Sequence, residues 1–104
     1  MIHVIATIEL HDGQRDNFLA EMHQVVPLVL EEEGCLSYGP TLDVETNIDA
    51  QPAVRPNVVT MVEAWENLEA LEAHLIAPHM MEYRPKVKDF VKSVTLQILE
   101  PAQS

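Results

Sequence analysis

The residues with the most chemical potential lie in one stretch, residues 63–83. It holds the only tryptophan, Trp65, and two of the five histidines, His74 and His79. His74 follows the apolar Leu71 by three positions, which on a helix places it at the edge of the buried side. An imidazole there can serve as a base or a hydrogen-bond donor. The alternative is a structural histidine that only satisfies its own hydrogen bonds.

Aromatic and methionine side chains accompany these histidines. Trp65 ends an apolar run, where its ring suits either a core position or one wall of a pocket for an aromatic ligand. Met80, Met81 and Tyr83 come just after His79. Methionine adapts to irregular apolar surfaces, and all three residues fit core or pocket lining. The stretch therefore indicates a site for an apolar ring beside an imidazole.

Metal and cofactor sites are not expected. His74 and His79 are five positions apart, whereas a metal pair on a helix needs a spacing of three or four. The chain has three glycines, none spaced as in a phosphate-binding loop, and Cys35 has no recognisable activating partner. We therefore expect no metal, no flavin and no nicotinamide.

Length and charge limit the classes of partner. The 104 residues suffice for one domain, and 17 acidic against 6 basic residues give a net charge of −11. This charge repels phosphate backbones and anionic lipid, which excludes nucleic acid and membrane surfaces as partners. One cysteine, no secretion signal and no membrane-length apolar run favour the cytoplasm. The charge does not predict the substrate, because the charge of a pocket and that of the whole surface need not agree.

The hydrophobic pattern predicts the elements that must position these residues. Period-two alternation predicts strands, and helical periodicity predicts the segments between them. The predicted strands are 2–10, 35–44, 58–65 and 93–99, and the predicted helices are 14–33, 68–75 and a short one from Pro78 toward Asp89. The order is the ferredoxin-like β-α-β-β-α-β of an α+β fold, with an antiparallel sheet and helices on one face. A second copy would cover the other face, which predicts a homodimer.

Local signals refine this outline. Pro27 is expected to kink or divide the first helix, and Gly34 to cap its end. Asn67 should cap the second helix, and residues 45–57 form an unusually long loop. Two groups of charged residues are expected to be solvated surface. They are Glu31, Glu32 and Glu33 at the end of the first helix, and Lys86, Lys88 and Lys92 near the C-terminus.

These residues resemble the antibiotic biosynthesis monooxygenase (ABM) family. Residues 34–38, Gly-Cys-Leu-Ser-Tyr, are similar to the segment that follows the first helix in that family. The other similar residues are Glu63-Ala64-Trp65, Leu71, Ala73-His74-Leu75 and Pro78-His79, which match the family's ordered E-x-W…L-x-A-H-L-x-x-P-H signature. The resemblance covers nearly the whole chain as a single ABM-like domain, residues 1–104.

The resemblance implies a dimeric α/β barrel, in which two ferredoxin-like units pack their sheets together. It also implies a small cofactor-independent monooxygenase that oxidises a quinol-like or polycyclic phenol with O2, with the substrate between helices and sheet. His74, as base or donor, and Trp65, as pocket wall, are the expected catalytic residues. The residues expected to contact substrate are Glu63, Met61, Leu71, His79, Met80 and Tyr83.

Other functions remain open within the family. The haem-degrading branch is disfavoured, because it has an asparagine on the first strand, where this chain has Ala6 and Thr7, and a tryptophan at the position of His74. An isomerase acting on a small enolisable carbonyl compound is one alternative. A non-enzymatic or stress-related dimer that binds an apolar ligand is another. Family membership alone does not decide among them.

Overall fold

Four strands form one antiparallel sheet, and three helices pack against one of its faces. The computed structural model describes residues 1–103. In chain order the elements are β1 (Ile2–Leu10), α1 (Arg15–Leu30), β2 (Cys35–Thr41), β3 (Val58–Trp65), α2 (Leu68–Leu75), α3 (Pro78–Val87) and β4 (Val91–Leu99). The strand order in the sheet is β2-β3-β1-β4. The predicted ferredoxin-like fold is confirmed.

The two central strands, β1 and β3, supply the sheet side of the core. Their alternate residues point toward the helices, as the period of two requires. These inward residues are Val4, Ala6, Ile8 and Leu10 of β1 and Val59, Met61, Glu63 and Trp65 of β3, and all of them are buried. The predicted bounds of both strands are confirmed.

The edge strand β4 is covered much less by the helices. Its residues Val94, Leu96 and Ile98 pair with Ile8, Ala6 and Val4 and therefore share the inward face. They nevertheless remain between 43% and 56% exposed. The helical layer thus leaves an opening above β4.

Helix α1 packs through a stripe spaced by three and four residues. Phe18, Met22, Val25 and Val29 are buried, as the helical period predicts. Of the two predicted effects of Pro27, a kink or a division, the division is wrong, because α1 is one helix that runs through this residue. Pro27 is exposed, and its missing N–H costs one hydrogen bond on the solvent side.

The turn after α1 depends on Gly34. The helix ends at Leu30 with Glu31 as its cap, and Gly34 lies three residues further on with a φ of +83°. The prediction that Gly34 caps the helix is therefore wrong. A Cβ at this position would lie 2.6 Å from the Cβ of Ala70. Glycine allows both the left-handed backbone and the close approach of α2.

The starts of α2 and α3 follow the predicted signals. The Asn67 Oδ1 accepts a hydrogen bond from the Ala70 N–H at 2.9 Å, which confirms this residue as the N-cap. Pro78 begins α3, where its fixed φ suits the first turn and no N–H is needed. Ala77 alone separates Ile76, the C-cap of α2, from α3.

The long connection between β2 and β3, residues 42–57, has its own polar contacts. Asp43 forms a bidentate pair with the Arg55 guanidinium, at 2.9 and 3.0 Å, and also accepts the Arg55 backbone N–H. These bonds lower the pKa of Asp43 to about 2. Gln51 adds hydrogen bonds to Thr46 and to the Val44 carbonyl. The loop is therefore a folded surface segment.

The outward face of the sheet has no covering layer within residues 1–103. Ile5 and Thr7 of β1 and Thr60 of β3 are half-buried there, and Val62 is 44% exposed. Within the same residues, no helix is long and apolar enough to cross a bilayer.

Replacing Gly34 with alanine should destabilise the fold through both backbone strain and overpacking against Ala70. We expect a loss of about 2–4 kcal/mol in the free energy of unfolding, measured by urea denaturation. Gly13→Ala is the matched control. Its φ is +76° but nothing lies within 4 Å of the added Cβ, and we expect a loss of about 1–2 kcal/mol. Equal losses in the two variants would contradict the close-contact argument.

Candidate active site

A cavity of about 900 Å³ lies between the helices and the sheet. Its size is typical of a small-molecule site, and most of its walls are apolar. The aromatic and methionine residues that line it are Phe18, Tyr38, Tyr83, Met22, Met61, Met80 and Met81. It opens between α3 and β4, where its lining residues Met81, Val94 and Leu96 are exposed. The site therefore suits an apolar ring.

A few polar side chains interrupt the apolar lining of this cavity. The charged or titratable side chains in its lining are Glu63, His74, Arg84 and Lys88, together with the phenols Tyr38 and Tyr83. Glu63 and His74 are buried, at 6% and 3% exposure, whereas Arg84 of α3 and Lys88, the C-cap of that helix, are exposed. The cavity thus has a buried polar end and a cationic rim.

His74 is held in one orientation by a carboxylate and two rings. Its Nδ1 lies 2.9 Å from Glu32 Oε2 and 3.2 Å from Oε1. Its ring centroid is 4.8 Å from that of Trp65 and 5.3 Å from that of Tyr38. The carboxylate fixes one ring nitrogen, and the neighbouring rings limit rotation of the imidazole.

Glu32 also binds a second histidine. His79 Nε2, at the start of α3, lies 2.6 Å from Glu32 Oε2. One carboxylate therefore joins the turn after α1 to α2 and α3. The prediction that Glu32 is solvated surface is wrong, although its neighbours Glu31 and Glu33 are exposed. The turn at residues 31–34 points Glu32 toward the helices that pack over it.

This contact decides which nitrogen of His74 can act as a base. A carboxylate only accepts hydrogen bonds, and the neutral imidazole must therefore carry its proton on Nδ1. Nε2 is then an acceptor. It has no hydrogen-bond partner within residues 1–103, and no buried side-chain nitrogen or oxygen there lacks a partner. Nε2 therefore keeps some accessible surface, and His74 is one of the residues that line the cavity.

Burial sets the protonation state of this imidazole. Desolvation lowers the pKa of His74 below its ordinary value of 6.5, and the hydrogen bond and charge of Glu32 oppose that shift only in part. His74 is therefore mostly neutral near pH 7, the state required of a general base.

Glu63 has a different environment at the same end of the cavity. It accepts a hydrogen bond from the Trp65 indole N–H, with Nε1 3.1 Å from Oε1. Burial raises the pKa of Glu63, the Trp65 bond opposes the rise, and the charge of Glu32 adds to it. Burial also raises the pKa values of Tyr38 and Tyr83, and both phenols stay protonated as hydrogen-bond donors.

The structure brings most of the predicted site residues to one cavity. His74, Glu63, Met61, Met80 and Tyr83 line it. Trp65 and Leu71 do not line it, because they are fully buried behind it in the core, at 0% and 2% exposure. His79 lines a separate small groove between α1 and α3. Trp65 therefore forms no wall of the site and contacts it through the lining residues Glu63, His74 and Tyr38.

Among the polar and charged residues of the site, sequence reasoning missed four: Glu32, Tyr38, Arg84 and Lys88. Tyr38 carried the one usable signal, because it is the last residue of the family-like segment 34–38 and is buried on β2. Glu32 looked like one of three equivalent acids, and Lys88 like one of several surface lysines. Within residues 1–103, no group of three His, Cys, Asp or Glu side chains is arranged to hold a metal ion.

The fold and the site define a small α+β protein with an internal apolar cavity and a carboxylate-fixed histidine. The family model for antibiotic biosynthesis monooxygenase matches residues 1–86, and the chain belongs to this ABM family. It is 40% identical over 103 residues to a protein of Escherichia coli K12 named "Probable quinol monooxygenase YgiN", and the match covers 97% of this chain and 98% of that protein.

Solved structures share the fold at lower sequence identity. A conserved protein from Methanosarcina mazei superposes with a TM-score of 0.82 at 24% identity, covering 97% of this chain and 92% of its own. PA3566 from Pseudomonas aeruginosa gives a TM-score of 0.79 at 22% identity, with 98% and 94% covered. At this identity the likeness concerns the fold alone.

Replacing Glu32 with glutamine should lower the pKa of His74 further. The carboxylate charge favours the imidazolium, and an amide of the same size carries no charge. The titration of the His74 ring, followed by NMR, should move to lower pH. Glu31→Gln removes an exposed acid from the same turn and should leave the titration in place. An unchanged or higher pKa in Glu32→Gln would contradict the assigned contact.

Proposed function

We propose that this protein is a small monooxygenase that oxidises a quinol-like or polycyclic phenol with O2, using no metal or flavin. One observation carries the proposal. His74 lines an apolar cavity of about 900 Å³, and Glu32 binds its Nδ1 and leaves Nε2 without a hydrogen-bond partner within residues 1–103. The family and its curated relative support an oxygenase reaction, and the cavity supports an aromatic substrate.

The reaction begins with removal of a phenol proton by His74 Nε2. The resulting anion is electron-rich, and the mostly apolar walls of the cavity solvate it poorly. It transfers one electron to O2, and the two radicals combine to form a C–O bond. Loss of water then gives the product. For a naphthohydroquinone the sum is C10H8O2 + O2 → C10H6O3 + H2O, and the substrate supplies all the electrons.

The other residues position the substrate or support the base. Tyr38 and Tyr83 are protonated donors for a second oxygen of the quinol. Met61 and Met80 contact the ring, and Glu63 contacts the substrate at the buried polar end. Trp65, Leu71 and His79 do not touch the cavity. Trp65 packs against His74, and His79 helps to hold Glu32.

A second candidate reaction uses the same polar end without oxygen. His74 is a base and Glu63, whose pKa is raised by burial, can supply a proton. A base and an acid on one cavity can move a proton between two carbons of a small enolisable carbonyl compound. Turnover under strictly anaerobic conditions would favour this isomerase over the oxygenase.

Oxygen uptake with reduced naphthoquinones and anthrones tests the oxygenase proposal. His74→Asn keeps a donor at the position of Nδ1 and removes the basic Nε2, and we expect kcat to fall by about 10²–10⁴-fold. His23→Asn, on the exposed side of α1, is the matched control and should retain wild-type uptake. Uptake equal to autoxidation in the wild-type protein would contradict the proposal.

We also propose that the protein is a cytoplasmic homodimer. The outward sheet face has no cover within residues 1–103, and it carries Ile5 and Val62 among small polar side chains. A second sheet packed there would bury this face and give the expected barrel. The free thiol of Cys35 suits a reducing compartment.

Replacing Val62 with glutamate should dissociate the dimer, because paired sheets would bury two unpaired carboxylates. We expect a wild-type dimer and a monomeric variant at micromolar concentration by light scattering coupled to gel filtration. Ile76→Glu adds the same charge at an exposed position after α2 and should stay dimeric. A monomeric wild-type protein would contradict the barrel.

A further inference from the structure

We infer that the natural ligand of the cavity is an anion, an aromatic acid whose ring enters the cavity and whose carboxylate binds Arg84 and Lys88 at the rim. The inference rests on the proposed function only for the other end of the ligand, where a phenol faces His74. The cationic rim itself is a property of the cavity and can be tested without any turnover.

The distribution of charge supports an anionic ligand. The chain has 17 acidic and 6 basic residues, yet two of those six basic residues line the cavity, against one acidic residue, Glu63. Within residues 1–103, neither Arg84 nor Lys88 has a carboxylate oxygen within 4.0 Å. Two unpaired cations beside one opening are unexpected in so acidic a protein, and a bound anion would pair them.

The geometry of α3 places both cations on the cavity side. Arg84 and Lys88 are four positions apart and therefore lie one turn apart on the same face. The Arg84 Nη2 donates to the Leu75 carbonyl at 2.5 Å, which fixes the guanidinium at the junction of α2 and α3. Several of its five N–H donors stay available, and a guanidinium binds a carboxylate through two of them.

The remaining walls suit the rest of an amphipathic ligand. Val94 and Leu96 of β4 face α3 across the opening and offer an apolar surface to a ring. From Met80 to Lys88 the helix axis spans roughly 12 Å, at 1.5 Å per residue. Along the sheet, four residues separate the row of Glu63 from the row of Val94, which is roughly 13 Å. The cavity can hold a fused ring that reaches Lys88 at one end of this span, with Arg84, bonded to the Leu75 carbonyl, nearer to His74.

A matched pair of probes isolates the charge. The first probe is 6-hydroxy-2-naphthoate, and the second is 6-hydroxy-2-naphthamide, which has the same ring and an uncharged amide. We expect calorimetry at low salt and neutral pH to give about tenfold tighter binding for the naphthoate. Equal affinities, or no binding of the naphthoate at millimolar concentration, would overturn the inference.

Three variants locate the effect. The measured quantity is the affinity for the naphthoate divided by the affinity for the naphthamide. Lys88→Met should lower this ratio at least threefold, and the double variant Arg84→Met/Lys88→Met should bring it to one. The affinity for the naphthamide should stay within twofold, which reports an intact cavity. Lys86→Met removes the same charge from α3 on the side that faces α1, and it should keep the full preference.

Some outcomes separate this inference from the proposed function. If Lys86→Met and Lys88→Met weaken naphthoate binding equally, the overall field and not the rim attracts the anion, and the inference fails. If the double variant does not fold, the binding data for Lys88→Met alone test the inference. Oxygen uptake with a neutral naphthohydroquinone would support the oxygenase reaction even when the two probes bind equally.

Discussion

The hydrogen bond between Glu32 and His74 is the contact on which the site depends. It joins the turn after α1 to α2, and through His79 it also holds the start of α3. A hydrogen bond to a charged group contributes about 1.5–3 kcal/mol when it is shielded from solvent, and both partners are largely buried here. The same bond fixes the tautomer of His74. This one interaction therefore holds three helices together and also determines which nitrogen of His74 can accept a proton.

The reaction proposed for His74 Nε2 depends on the apolar walls of the cavity. Water could solvate a phenolate on every side, but the cavity offers only a few directed donors, among them Tyr38 and Tyr83. In the proposed reaction, an anion formed there would keep a high energy and be a good electron donor. The same desolvation lowers the pKa of His74, which keeps the base neutral. In the proposed reaction, burial would therefore keep the base neutral and also activate the anion.

The charge of the cavity differs from the charge of the protein. The net charge of −11 comes from acidic residues spread over helices, turns and loops. The rim carries Arg84 and Lys88, and no carboxylate neutralises them within residues 1–103. Interactions between exposed charges are screened beyond about 10 Å at 0.1 M salt, and a ligand at the rim therefore responds mainly to these two cations.

The sequence by itself determined the elements whose signals are local. The alternation in β1 and β3, the Asn67 cap and the position of Pro78 each depend on residues a few positions apart, and the family signature marked His74. Only the tertiary structure separated Glu32 from Glu31 and Glu33, and Lys88 from Lys86. It also placed Trp65 behind the cavity, although its sequence position suited a wall equally well. These outcomes depend on which elements pack over a side chain. The contacts of Glu32 join residues more than 40 positions apart, where no local pattern carries information.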